Sequence, residues 1–295
     1  MGEAAALIAA FMWSATSVAM AALGARITPV AMSALRLSVA TLVLPLVLAL
    51  SGQWHEVLDA DREQVAALVG SGLLAYAIGD TMYIASLGKL GVQRAFTLTM
   101  TLFIALTVAG GVVLLDEELR WLQGAGAVLI AGGVIVLVRS RRAASEEARS
   151  ADVRGYVLVV AVGVFWAAAT LWLAGGRGDM GSISASALRT PASAGAMLGF
   201  ALITAPRDLI SPFRRRREWM SVVAIGLLST LFGSLLYVYA VGEAGASTTT
   251  ILNATSPLLA LPLAVLVLKE PFTRKAGLGT VICVAGIVCV VAPWG

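Results

Sequence analysis

Ser33-Ala34-Leu35-Arg36 is spelled a second time at Ser186-Ala187-Leu188-Arg189, 153 positions further on. Each copy sets an arginine about two turns inside an apolar stretch long enough to cross a bilayer. A full charge at the centre of a membrane helix costs about 2.5–3.5 kcal/mol on insertion scales, and less near an end. Two such charges at matched positions mark the chain as one unit written twice. The match spreads outward from them. Trp13 and Trp166 share the offset. Gly72, Gly79, Tyr83, Gly88 and Gly91 match Gly226, Gly233, Tyr237, Gly242 and Gly245 one position later. The first offset returns at Glu117 and Glu270, and at Gly124, Gly126 and Gly133 against Gly277, Gly279 and Gly286.

Of the 295 residues, 59% are hydrophobic and only 13% charged, and the mean hydropathy is +0.90. A soluble domain carries about 25% charged residues. The composition therefore predicts an all-α integral membrane protein. Ten long apolar stretches recur, at 4–23, 30–51, 65–87, 95–115, 122–138, 155–175, 183–205, 219–241, 247–268 and 276–293. Each unit holds five of them. Five is odd, so the second unit enters the bilayer the opposite way up. The expected fold is ten transmembrane helices built from two inverted five-helix repeats, 1–139 and 155–295, with a charged, solvated linker over 140–154. Inverted repeats are the plan of secondary transporters, whose solute site lies near the midplane where the halves meet.

Charge excludes several classes. Sixteen Lys and Arg residues fall in loops on one side and three, Arg62, Arg120 and Arg177, on the side of both termini. The positive-inside rule makes the sixteen-charge side cytoplasmic. A net charge of +4 spread over loops is no nucleic-acid footprint. His55 is alone in a polar loop, and Cys283 and Cys289 point to different helix faces. No metal site or cofactor is expected from that set. A Walker A motif for ATP is also missing from the sequence.

Arg36, Asp80 and Arg189 are the only formal charges inside the predicted spans. Arg36 and Asp80 lie at matching depths of about 10 Å in consecutive antiparallel spans, which predicts an ion pair. Asp80 either takes a proton or a solute amine and releases Arg36, or the pair only positions two helices. Ser234 stands where the repeat would put a second acid, so Arg189 has no partner from the repeat. It is expected to snorkel, to bind helix-end carbonyls or to hold a solute carboxylate. A cavity is sketched from matched polar and aromatic positions: Trp13, Ser14, Thr16 and Ser17; Tyr76 and Tyr83; Trp166 and Thr170; Tyr237 and Tyr239; and Asn253. Plain packing is the competing reading of the rings. Pro257 and Pro262 would free the carbonyls of Asn253 and Leu258. Glu117 and Glu270 precede spans five and ten, where a carboxylate complements a helix start.

Ten spans in two five-span units, Leu-Arg early in the second span of each, and an acid at each fourth-to-fifth turn together resemble the EamA branch of the drug/metabolite transporter superfamily. The turn motifs are Asp116-Glu117-Glu118-Leu119 and Lys269-Glu270-Pro271, each followed by its glycines. One position departs from the repeat, with Phe103 opposite Pro257. The resemblance implies a permease or exporter of small metabolites, amino acids and related amphipathic solutes among them. It would work by alternating access in a cell (inner or plasma) membrane, as a monomer or homodimer and without enzymatic activity. Proton coupling through Asp80 and simple exchange both stay open. Several relatives are described with cytoplasmic termini, opposite to the loop charges. Competing functions are an integral-membrane enzyme acting on lipid-type substrates and a non-transporting scaffold.

Overall fold

The computed structural model describes residues 1–23, 26–90, 92–142, 153–259 and 274–292. Among them every regular element is helical. In the first unit these are α1 (Gly2–Leu23), α2 (Pro29–Ser51), the short α3 (Trp54–Leu58), α4 (Arg62–Leu90), α5 (Val92–Leu114) and α6 (Trp121–Arg142). In the second they are α7 (Val153–Gly176), α8 (Ser182–Thr204), the short α9 (Pro206–Ile210), α10 (Arg216–Ala244), α11 (Ala246–Asn253), α12 (Ser256–Leu259) and α13 (Arg274–Val291). By length and apolarity α2, α4, α7 and α10 are each able to cross a membrane. Most of the expected linker, and Pro262, Glu270 and Pro271, lie outside the described residues, as does the side chain of Pro257.

Local chemistry sets the helix ends. Thr28 caps α2 by accepting the Ala31 N–H, Pro29 occupies its first turn, and Gly52 closes it in the left-handed conformation (φ 70°). Asp61 and Gln64 form a reciprocal capping box on α4. The faces are sorted like those of a helix in lipid. On α2, Leu42, Leu46 and Leu50 form an outward stripe at 80%, 61% and 80% exposure, while Ser33, Arg36, Leu37 and Ala40 are buried. So wide an apolar exterior, with polar groups turned inward, suits hydrocarbon rather than water.

The two units cross-pack reciprocally. A Cβ on Gly126 of α6 would lie 2.7 Å from the Gly286 carbonyl oxygen of α13, and one on Gly133 would lie 2.8 Å from that of Gly279. Numbers rise along one helix as they fall along the other, so these two matched helices run antiparallel. Both units use the same glycines at this crossing, because only a missing Cβ lets the backbones meet. α1 meets α10 in the same sense, with Gly2 against Ala244 and Trp13 against Gly233. Gly126→Leu therefore overpacks the α6–α13 contact. Its melting temperature in detergent should fall by the equivalent of about 1–3 kcal/mol. Gly132→Leu, with open space at its Cβ, should leave that temperature within about 0.5 kcal/mol of the parent.

Candidate functional site

The site is built on a helix defect that occurs twice. Leu73–Gly79 within α4 and Gly226–Gly233 within α10 are wound as π-helix. The Asp80 N–H reaches back to the Ala75 carbonyl, five residues away. Such wide turns redirect side chains and loosen carbonyls, and they recur at functional sites. Each defect is flanked by glycines. A Cβ on Gly72 would stand 2.6 Å from the Arg189 carbonyl oxygen, and one on Gly226 would stand 3.0 Å from that of Arg36. Each arginine is thereby drawn against the other unit's defect.

Arg36 is 3% exposed. Its Nη2 donates to Asp80 Oδ2 and its Nη1 donates to Thr230 Oγ1 at 3.1 Å. Asp80 Oδ1 accepts the Trp166 indole N–H at 3.0 Å. That indole packs against Gly79, where a Cβ would come within 2.7 Å of its ring. One carboxylate thus ties α4 to α2 of its own unit and to α7 of the other. Arg189, 2% exposed, lies over the Tyr76 ring at 4.9 Å, and Tyr76 is the repeat's match for Thr230. Its Nε and Nη1 make no hydrogen bond. It does not snorkel: the approach of α8 to Gly72 holds it inside the bundle, away from any polar surface. Trp13, the match for Trp166, donates instead to the Ser229 carbonyl at 3.0 Å.

These side chains enclose a central cavity of about 90 Å³. Of the residues expected there, Trp13, Ser17, Arg36, Tyr76, Asp80, Tyr83, Trp166, Thr170, Arg189, Tyr237 and Asn253 line it. Ser14 and Thr16 do not. Trp13, Ser17 and Met20 share one α1 face at i, i+4 and i+7, and one residue of rotation carries the Ser14 hydroxyl away. Thr16 bonds back to the Met12 and Trp13 carbonyls. Tyr239 misses the cavity for the same reason. The rings pair symmetrically: Trp13 with Tyr237 and Tyr83 with Trp166, both at 5.2 Å between centroids. Thr170 and Tyr237 share a 2.8 Å hydrogen bond. Helix α11 stops at Asn253. The Asn253 carbonyl is taken by the Ser256 hydroxyl at 2.7 Å, so the expected free carbonyl is absent. The Asn253 side-chain amide, 1% exposed, has neither oxygen nor nitrogen bonded. Residue identity alone carried no direct sign of the π segments, nor of Met100, Ser229, Ser234 and Ser256 as lining residues.

At the end of the chain termini polar contacts tie the helices together, two of them between units and one, from Arg177, within the second. The Glu117 carboxylate accepts from the backbone N–H of Ala246 at 2.6 Å and Ser247 at 3.1 Å, and from the Ser247 hydroxyl. It caps α11 of the opposite unit, not the helix that follows it, because Gly245 (φ 80°) turns those amides toward the α5–α6 connection. Glu56 Oε2 accepts the Gly181 N–H at 2.7 Å. Arg177 donates to the Val238 carbonyl at 3.0 Å. Burial lowers the Arg177 pKa, and Glu243, Asp179 and Glu56 act against the shift.

A family model described as the EamA-like transporter family matches residues 1–139 and 153–292. The chain belongs to the EamA-like transporter family. An EamA-like chain is a multi-pass membrane transporter of the drug/metabolite superfamily, with two copies of the domain in this case. Its setting is a bilayer and its partner a small molecule. A solved structure titled only as a crystal structure of a protein shares the fold. It covers 98% of this chain and 96% of its own at a TM-score of 0.77 and 19% identity. Among curated proteins nothing matches.

Asp80→Asn removes the charge that neutralises Arg36 and should destabilise the EamA-like chain by about 3 kcal/mol. The double variant Arg36→Gln/Asp80→Asn should recover more than half of that loss. Thermal unfolding of the three variants in one detergent checks the coupling.

Proposed function

We propose that this EamA-like protein is a secondary transporter that moves small metabolites by alternating access. Its two five-helix units would be inverted in a ten-span bundle, bounded as 1–139 and 155–295 with the linker 140–154, in a cell (inner or plasma) membrane. The observation that carries this reading is the position of the cavity. It lies where the two units cross, and each unit supplies matched lining: Trp13 and Trp166, Tyr83 and Tyr237, Arg36 and Arg189. A site shared by two reciprocal halves is the one place where rocking one half against the other changes access without dismantling either.

The lining is symmetric about the crossing of the two units. Trp13, Ser17 and Met20 occupy the second half of α1, Ala75 to Ile84 that of α4, and Met100 and Phe103 the first half of α5. These halves of the first unit point toward the end carrying Arg26 and Glu218, which pair at 2.7 Å, whereas Trp166 and Thr170 in the second half of α7, Arg189 in the first half of α8 and Tyr237 in the second half of α10 lie toward the other. The opposite end holds the Glu117, Glu56 and Arg177 contacts. By the loop charges the Arg26 end faces the cytoplasm. Amino acids and related amphipathic solutes suit the aromatic walls with a few hydroxyls, charges and an amide. A cavity of about 90 Å³ is smaller than the ~150 Å³ that takes a benzene, so binding widens it. Asp80, 20% exposed to that space, is the one group placed to couple a proton to the cycle.

Counterflow in proteoliposomes, run with a panel of amino acids and small organic acids and amines at two pH values, tests this. At least one solute should exchange faster than in protein-free vesicles, and Trp166→Ala should cut that rate at least about tenfold, since it strips Asp80 of a partner and the cavity of a wall. Failure of every solute to move would count against transport.

A further inference from the structure

We propose that the second half of the cavity is a carboxylate site whose missing acid is supplied by the solute. Arg189 and the Trp13 N–H would hold the solute's carboxylate beside Ser234, as Arg36 and the Trp166 N–H hold Asp80. The inference rests on the transport reading and narrows it to small monocarboxylates with an apolar body.

The pseudo-symmetry supplies the template. In one half an arginine, an indole N–H and a carboxylate form a closed set, Arg36–Asp80–Trp166. In the other half the arginine and the indole are present and the carboxylate is not, because the matched residue is Ser234. The shorter serine lines the cavity where Asp80 stands in the first half. Arg189 is left with an aromatic face and two unbonded, buried N–H nitrogens. Trp13, with no acid to meet, turns its N–H to the Ser229 carbonyl. The indole already stands beside that place, with Trp13 Nε1 2.8 Å from where a Cβ on Gly233, the neighbour of Ser234, would be, and Arg189 lines the same cavity.

Charge points the same way. Arg36 and Asp80 cancel, which leaves the cavity, among the described residues, with the single positive charge of Arg189, itself 2% exposed. An unpaired buried ion is strongly unfavourable, and an anionic guest removes the imbalance. A guanidinium with free donors is the side chain best suited to a carboxylate. Asn253 adds an unbonded amide to the same cavity, able to donate to the guest or accept from it. A solute ammonium finds no such vacancy. The cavity's one carboxylate, Asp80, already holds a guanidinium and an indole. The walls from Trp13, Tyr76, Met100, Phe103 and Tyr237 suit a compact apolar body.

Four probes with one branched body and different heads separate the possibilities: isovalerate, leucine, isoamyl alcohol and isoamylamine. Their binding to the purified full-length protein is read by calorimetry and by intrinsic tryptophan fluorescence. Isovalerate should bind tightest, leucine more weakly, and the alcohol and amine weakest. Arg189→Gln should weaken isovalerate at least about tenfold, and Arg189→Lys should restore part of the loss. Ser234→Asp supplies the acid from within, so it should raise the melting temperature of the unliganded protein and abolish isovalerate binding. Tighter binding of leucine or the amine than of isovalerate overturns the proposal, as does unchanged isovalerate affinity in both Arg189→Gln and Ser234→Asp. A protein that exchanges neutral or cationic solutes in vesicles while ignoring isovalerate keeps the transport reading and loses this one. A protein that moves nothing loses both.

Discussion

Two guanidinium groups shut away from water constrain this molecule more than any other feature. An arginine stays charged at any physiological pH, so it cannot escape burial by losing its proton. It has to be met by an acid, a ring face, a hydroxyl or a guest. Among the described residues, Arg36 is met by Asp80 and Thr230, Arg189 only by Tyr76. Both responses depend on the backbone of the other unit coming close enough, and that depends on glycine at 72, 79, 226 and 233. The glycines, the π segments and the arginines form one device, present twice.

The duplication explains why the cavity has a place and a shape. The second spans α2 and α8 pack on each other, and each first span packs on the other unit's third span, α1 on α10 and α7 on α4. The polar groups they carry meet at the crossing. The final helix of each unit, α6 and α13, is absorbed in glycine contacts with the other and takes no part in the lining. Function is thus divided along the chain: the first four spans of each unit build the pocket, and the fifth builds the seam.

Much of this was legible from residue identity alone. Offsets of 153 and 154 delivered the two units, and hydropathy delivered the helices. The depth of Arg36 and Asp80 brought that pair together, because regular spans joined by a short loop conserve depth. What escaped was whatever depends on helical phase or on contact between units. Ser14 sits beside Trp13 in sequence but more than a quarter-turn from its face, and the Thr16 hydroxyl turns back to the carbonyls of its own helix. Glu117 precedes α6 yet caps α11, a partner 129 residues away. Arg189 looked free to reach a membrane surface because nothing in a one-dimensional string shows Tyr76 beneath it. The π segments left a faint trace in the paired glycines at 72 and 79 and at 226 and 233, but those glycines read equally well as packing.

Side-specific labelling of a single cysteine at Ser234, with Cys283 and Cys289 replaced, tests the central idea of two halves rocking about a shared pocket most directly. In vesicles of known orientation, a membrane-impermeant thiol reagent should reach that cysteine from either side, and transported solute should slow both reactions. Reaction from one side only, whatever solute is supplied, would contradict the account.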